Sequence, residues 1–262
     1  IQGYSLTKDI DKNVAGTAAQ ELLKSIDSNF GFEIEINKGI RPGSGIGSSA
    51  ASSAGTVFAI NQLLESPFNH LDLIKFSMEG EKFVSDSYHA DNVAPIILGG
   101  ITLVRSLNKI DVIKLPTPKD LEVIIVRPDI EIKTSDSRKV VKKMIPIEKV
   151  VQQSANLSSF VSSLYLEDYD LMSKSVVDVI VEEDRKEMIP EFDNIKEISL
   201  KCGAIAVGIS GSGPSIFSLS NDNNVSNKIL DSIINHYNEQ DIDSTGFISK
   251  INSNGIKILE SR

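Results

Sequence analysis

The sequence predicts an α+β fold in two parts, on three observations. Helical and strand-like periodicities occur in both halves of the chain, without the regular strand–helix alternation of a parallel sheet. The segment "LPTPKD", residues 115–120, combines two prolines with an abrupt change to the strand-like run "LEVIIVR". The 262 residues, 40% hydrophobic and 24% charged, suffice for two modest domains with cores of their own. The expected parts are therefore residues 1–115 and 116–262.

The elements follow in order. The opening "IQGYSL" reads as strand material, and Asn13 to Ser25 as a helix with Val14, Ala18, Leu22 and Leu23 inward. "FGFEIEI", residues 30–36, alternates Phe32, Ile34 and Ile36 with Glu33 and Glu35, the pattern of a half-buried strand. After a glycine- and serine-rich stretch, Ala50, Ala54, Val57, Phe58, Ile60, Leu63 and Leu64 recur at helical spacing up to Ser66-Pro67. A helix is expected from about Asn69 to Val84, then an irregular stretch, Gly99-Gly100 and an apolar strand. The second half reads as helices near 146–164, 168–183, 191–201 and 224–238. Residues 204–220 read as strand, glycine turn and strand, and 246–259 as strand material.

The stretch "RPGSGIGSSAASSAG", residues 41–55, lies between the expected strand and helix. Backbone N–H groups left unpaired at a helix start, with the helix dipole behind them, favour an anion, and glycine lets the backbone approach it. A phosphate is the natural ligand. The P-loop pattern fails, because no lysine lies between Gly39 and Lys75. A dinucleotide fingerprint fits Gly45 to Ala50 formally, but Glu65 then ends a helix where a second parallel strand is required.

Three other clusters stand out. Glu81, near the end of its helix, would supply the carboxylate that a phosphate-bound Mg²⁺ needs beside a serine at the loop–helix junction. His89, Asp91 and Asn92, in "HADN", form a polar edge before the apolar "VAPIILGG". "GISGSGPS", residues 208–215, is a wide turn poor in side chains, able to admit a substrate against its backbone.

Composition excludes several classes. A net charge of −9 speaks against a nucleic-acid surface. No run of 18 apolar residues offers a membrane span. The single Cys202 forms no internal disulfide and suits a reducing cytoplasm.

Taken together, "PGSGIGSSAAS", "HADNVAP" and "GISGSGPS" resemble the GHMP small-molecule kinases, and the last two resemble their homoserine kinase branch. The resemblance implies a two-domain fold, an N-terminal β-α ATP-binding domain and a C-terminal ferredoxin-like α/β sandwich. It implies ATP and Mg²⁺ as cofactors, L-homoserine as phosphoryl acceptor, and a homodimer. Pro42, Gly43, Ser44, Gly45, Ile46, Gly47, Ser48, Ser49 and Ala50 would form the ATP-binding loop, with Gly45, Gly47 and Ser48 cradling the phosphates. Ser49 and Glu81 would hold the metal. His89, Asp91, Asn92 and Gly211 would face the substrate, and Arg138 and Arg185 would grip its carboxylate through their planar forks. Asn92, Asp91 and Glu81 would carry the catalysis, although an asparagine cannot accept a proton. Alignment and charge stabilisation would then dominate, with Asp91 the lesser candidate for a base.

The resemblance also implies a preceding segment with a "P-x-S-x-N-L-G-P-G-F-D"-like motif, which this chain lacks. Asp86 stands where relatives often carry glycine. Two alternatives remain: another kinase of the family, such as one acting on mevalonate, or a non-catalytic relative of the same fold. A paired arginine distinguishes an amino-acid acceptor from a neutral sugar.

Overall fold

A computed structural model describes residues 3–4, 6–26, 31–85, 88–132 and 134–260. The chain divides into two compact units. One comprises Ile1–Pro42, Gly47–Leu115 and Asn252–Arg262; the other comprises Gly43–Ile46 and Pro116–Ile251.

The first unit is built on helices. Asn13 accepts the Ala15 N–H at 3.0 Å and starts α1 (Val14–Leu23). Next come α2 (Ser48–Leu63) and α3 (His70–Ser85). Small side chains let these three helices approach closely: Ala18, Ala50 and Ala54 are buried with Leu22, Val57, Ile60, Leu73 and Ile74. Two polar side chains inside bond across the helices and the loop that joins them. Ser53 donates to the Ser77 carbonyl at 2.6 Å, and Asn61 bonds both the N–H and the carbonyl of Phe68. A short helix, α4 (Val93–Leu98), and the antiparallel hairpin β1 (Ile101–Ser106) and β2 (Asp111–Leu115) complete the unit.

Helix α4 lies in the stretch expected to be irregular. Its Pro95 occupies the first turn, where no intrahelical N–H bond is needed. Residues 252–256 clasp its far end. Gly100 N–H donates to the Asn252 carbonyl and Ile256 N–H to that of Ile96, both at 2.8 Å. Lys114 Nζ ties the Leu98 and Ser253 carbonyls at 2.7 and 2.8 Å. Gly99 is at φ 72, and a Cβ there would lie 2.2 Å from the Gly255 nitrogen. Gly99→Val is therefore expected to cost on the order of 3 kcal/mol or more. An unchanged urea midpoint would show the clasp to be dispensable.

The alternation of "FGFEIEI" reports burial only in part, since Ile34 is exposed, and it produces no strand over residues 31–36. Phe32 packs on the helical core and Glu33 and Glu35 are exposed, but residues 31–36 adopt no strand, and only Asn37 makes an isolated bridge. A period-two pattern marks a strand only where a neighbouring edge is there to pair with it. Of the opening "IQGYSL", Ile1, Gln2 and Ser5 lie outside the described residues, as does Asp86.

The second unit is a four-stranded antiparallel sheet with helices packed on it. Its strands are β3 (Glu122–Pro128), β4 (Ala206–Ile209), β5 (Ile216–Ser220) and β6 (Ser244–Lys250), in the order β4-β5-β3-β6. Helices α5 (Thr134–Lys139), α6 (Ile147–Leu166), α7 (Tyr169–Ser175) and α8 (Glu182–Arg185) follow β3. Helix α9 (Phe192–Cys202) precedes β4, and α10 (Asn223–Glu239) precedes β6. The core joins Ile124 and Val126 of β3, Val207 and Ile216 of its neighbours, Ile195 of α9 and Ile229 and Ile233 of α10.

Two boundaries differ from expectation. The helix expected over 168–183 stops at Ser175. Val176, Val177, Val179, Ile180 and Val181 are β-branched, and Asp178 accepts the N–H groups of Ile180 and Val181, each at 2.8 Å, offering the backbone an alternative to helix. The last strand stops at Lys250, before the turn-forming "NSNG".

Candidate active site

In the first unit, α2 begins at Gly47, in the left-handed region at φ 77. The two serines that follow have different partners. Ser48 Oγ donates to the Ile40 carbonyl at 2.7 Å, so its hydroxyl pins the loop. Ser49 Oγ donates to Glu81 Oε2 at 2.9 Å, joining α2 to α3 across 32 positions of sequence. Glu81 is 8% exposed. Burial pushes its carboxyl above the ordinary value, Asp91 adds to that, and the Ser49 hydroxyl and the charge of Lys38 pull it back.

Lys38 has no counterpart among the residues expected from the sequence. Its Nζ donates to the Ser48 carbonyl and to Ser52 Oγ, both at 3.0 Å. Burial lowers its pKa and the Glu81 charge opposes that. Lys38 precedes Gly39 by one residue, so the lysine-free stretch from Gly39 to Lys75 that excludes a P-loop does not include it.

The "HADN" segment comes to the same helix start. Ala90 and Val93 are buried, which leaves Asp91 and Asn92 at the surface between them and His89 half-buried. Asn92 stands at the N-cap of α4 and makes no capping bond with its side chain. A Cβ on Gly47 would lie 3.5 Å from Asn92 Oδ1. Lys38, Gly47, Ser48, Ser49, Glu81, Asp91 and Asn92 thus form one cluster: a helix N-terminus, a cation, a hydroxyl paired with a carboxylate, and an amide. Such a set can hold a phosphate chain and charge developing on it. Among the described residues, no three His, Cys, Asp or Glu side chains come together to hold a metal by themselves.

In the second unit, the loop residues Gly43 to Ile46 are seated on the "GISGSGPS" turn. Ser215 Oγ donates to the Ser44 carbonyl at 2.6 Å, and Ser210 Oγ to that of Gly45 at 3.0 Å. Gly45 is at φ 80, and a Cβ there would meet the Ser210 and Gly213 carbonyl oxygens at 2.5 and 2.6 Å. Ser44 and Gly45 of the glycine loop thus rest against this side-chain-poor turn.

Beside that turn stand the two arginines. Arg185 Nη1 donates to the Gly211 carbonyl at 2.9 Å and its Nε to the Ser137 carbonyl at 3.3 Å. Burial lowers its pKa, Asp178 opposes this, and Arg138, adjacent to Ser137 on α5, lowers it further. Two guanidinium groups within reach of each other cannot neutralise by deprotonation, so the pair favours an anion.

The chain matches the family model of the GHMP kinases N terminal domain over residues 13–100 and that of the GHMP kinases C terminal over residues 160–239. A homoserine kinase of Chlorobium phaeobacteroides (strain BS1) is 36% identical over 265 residues, 98% of this chain and 83% of that protein. One of Methanococcus maripaludis (strain C5 / ATCC BAA-1333) is 38% identical over 212 residues, 80% of this chain and 69% of that protein. The crystal structure of homoserine kinase from Cytophaga hutchinsonii ATCC 33406 superposes with a TM-score of 0.92 at 41% identity, covering 95% of this chain and 79% of that one. The Methanococcus jannaschii mevalonate kinase structure, at 19% identity and a TM-score of 0.69 over 91% of this chain and 75% of its own, shares the fold.

Proposed function

The chain belongs to the homoserine kinase branch of the GHMP kinases, and from that membership we propose that it transfers the γ-phosphoryl group of ATP to the side-chain hydroxyl of L-homoserine. The bond from the γ-phosphorus to the β,γ-bridging oxygen breaks and one to the hydroxyl oxygen forms. ADP, O-phospho-L-homoserine and the hydroxyl proton are the products. The observation that carries this reading is the buried Ser49–Glu81 pair beside Lys38 at the start of α2.

The loop from Pro42 to Ala50 binds the nucleotide, with the α2 N-terminus and Lys38 toward the phosphates. Ser49 and Glu81 fit Mg²⁺, which takes one or two protein oxygens when phosphates supply the rest, and they are the residues that would hold it. When bound, the ion neutralises phosphate charge during transfer. Asn92, its amide uncommitted to capping, orients the acceptor hydroxyl with His89 and Asp91. Asn92 takes no proton, so the residues act by alignment and charge stabilisation, which a loose transition state tolerates. Arg138 and Arg185, with the Gly211 backbone, take the amino-acid carboxylate.

The working protein is a cytoplasmic homodimer in this reading. Among the described residues no helix is long and apolar enough to cross a membrane, and sedimentation tests the dimer. The arginine pair does not separate homoserine from mevalonate, which also carries a carboxylate, but it disfavours a neutral sugar. ADP release from the full reading frame with ATP and Mg²⁺ decides, with L-homoserine, mevalonate and galactose offered in parallel beside a no-acceptor control. Release with homoserine alone is expected. Release with another acceptor, or with none, would overturn the assignment. Arg185→Lys should raise the homoserine KM about tenfold or more, because an ammonium cannot reproduce the fork, with the ATP KM within twofold.

A further inference from the structure

We propose that Lys196, through its partly buried ion pair with Glu182, is a positioning residue that sets the aim of Arg185. The proposal rests on the reading of Arg185 as the carboxylate-binding residue.

Arg185 is the last residue of α8, a helix of four residues. A single turn has no stability of its own, since helix nucleation is unfavourable until further turns or tertiary contacts reward it. The placement of Arg185 is therefore set by whatever ties α8 to its surroundings. Besides the bonds of Arg185 itself and the Lys186 bridge from Glu183 to Asp193 on α9, three ties hold the helix and its approach. Asp178 caps the turn that leads into the helix. Asp184 accepts the Lys142 N–H at 3.0 Å and pairs with its Nζ at 3.0 Å. Glu182, the first residue of α8, accepts a hydrogen bond from Lys196 Nζ on α9.

These ties differ in weight. The Asp184 side chain is 10% exposed but that of Lys142 is 72%, so losing the Lys142 ammonium still leaves Asp184 the Lys142 N–H and nearby water. The Glu182 and Lys196 side chains are 11% and 28% exposed. Removing Lys196 leaves the nearly buried Glu182 carboxylate uncompensated, so it must find water or move. Burial already pushes the Glu182 carboxyl up, and Lys196 is what pulls it back. Without Lys196, α8 relieves the strain by turning Glu182 outward. Arg185, three residues along the same single turn, moves with it and leaves the carbonyls of Gly211 and Ser137 that aim its fork. Lys196 itself touches neither arginine, and α9 otherwise belongs to the core through Phe192 and Ile195.

The test is Lys196→Met, which keeps length and removes the charge. The homoserine KM is expected to rise about tenfold while the ATP KM stays within twofold, and Lys196→Arg should restore most of the loss. Amide exchange at Asp184 and Arg185 should accelerate in Lys196→Met, a readout that needs no substrate. If the single variant does not fold, Glu182→Gln with Lys196→Met removes the stranded charge, and a smaller rise in the homoserine KM is expected there, from the lost tie alone, with the ATP KM again within twofold. A folded variant with wild-type homoserine KM and wild-type exchange at α8 would overturn the positioning role and leave the functional reading intact. Wild-type protein without homoserine-dependent turnover would overturn the functional reading, and accelerated exchange in the variant would still attest the tie.

Discussion

Glu81→Gln is expected to lower homoserine-dependent ADP release by about three orders of magnitude while raising the melting temperature. Both effects come from one feature. The carboxylate is held almost out of water, and desolvation is the largest influence on its titration, exceeding the help from Ser49 and Lys38. Its folded-state pKa is therefore higher than its unfolded value, so between the two the folded state binds more protons. Stability then falls as pH rises through that interval, and above it the ionised Glu81 is a standing cost. Glutamine removes the charge and keeps an oxygen for the Ser49 hydroxyl. Lys38 loses the charge that supports its own protonation, which returns part of the gain. The net expectation is about 2–4 °C at neutral pH, the shift that about 1 kcal/mol produces in a chain of this size.

The pH dependence separates this account from a general repacking. Below the unfolded carboxyl pKa, Glu81 is neutral in both states, and wild type and variant should melt together. The gap should open as pH rises through the elevated folded-state value and then level off. Wild-type turnover should also fall on the acid side, since the protonated carboxyl no longer offers the charge that Mg²⁺ and the phosphates need. That fall should lie below the metal-free value, because a bound cation favours the ionised carboxylate. A variant that keeps more than a tenth of wild-type turnover would remove Glu81 from the metal site. A gap in melting temperature that is independent of pH would refute the desolvation argument.

Much of this cluster was legible because its chemistry is local in sequence. Gly43, Gly45 and Gly47 with the serines after them mark a loop at a helix start, and "HADN" is a run of polar side chains set against apolar neighbours. What stayed hidden needed long-range pairing. The seat of Gly45 on Ser210 spans 165 positions, and no periodicity reports it. Seen alone, "GISGSGPS" offered backbone to an unspecified ligand; the fold makes the first glycine loop its neighbour. Helix α4 was hidden by a proline that is harmless in a first turn, and α8 by a β-branched run that ends one helix before a second begins. Ser48 and Ser49 are indistinguishable as letters, yet one hydroxyl closes the loop and the other meets Glu81.

Lys38 is the residue that motif reasoning passes over, and Lys38→Met is expected to reduce turnover by about 10²–10³-fold, the loss typical of removing one donor aimed at developing charge. Its Nζ is oriented by the Ser48 carbonyl and Ser52 Oγ, both on α2, so the ammonium is fixed relative to the helix N-terminus. Lys38→Arg should rescue little, because the guanidinium fork does not reproduce two convergent bonds to a compact ammonium. Burial lowers the Lys38 pKa, so wild-type activity should decline on the alkaline side through a value below the ordinary 10.5. Methionine should abolish that limb. It should also displace the acid limb upward, since Glu81 loses the Lys38 charge that favours its ionised form. The pH–rate profile therefore reads the Lys38–Glu81 coupling from both ends. Loss of the alkaline limb with an unmoved acid limb would mean that Lys38 serves the phosphates without tuning Glu81. An unchanged profile with unchanged turnover would take Lys38 out of the site altogether.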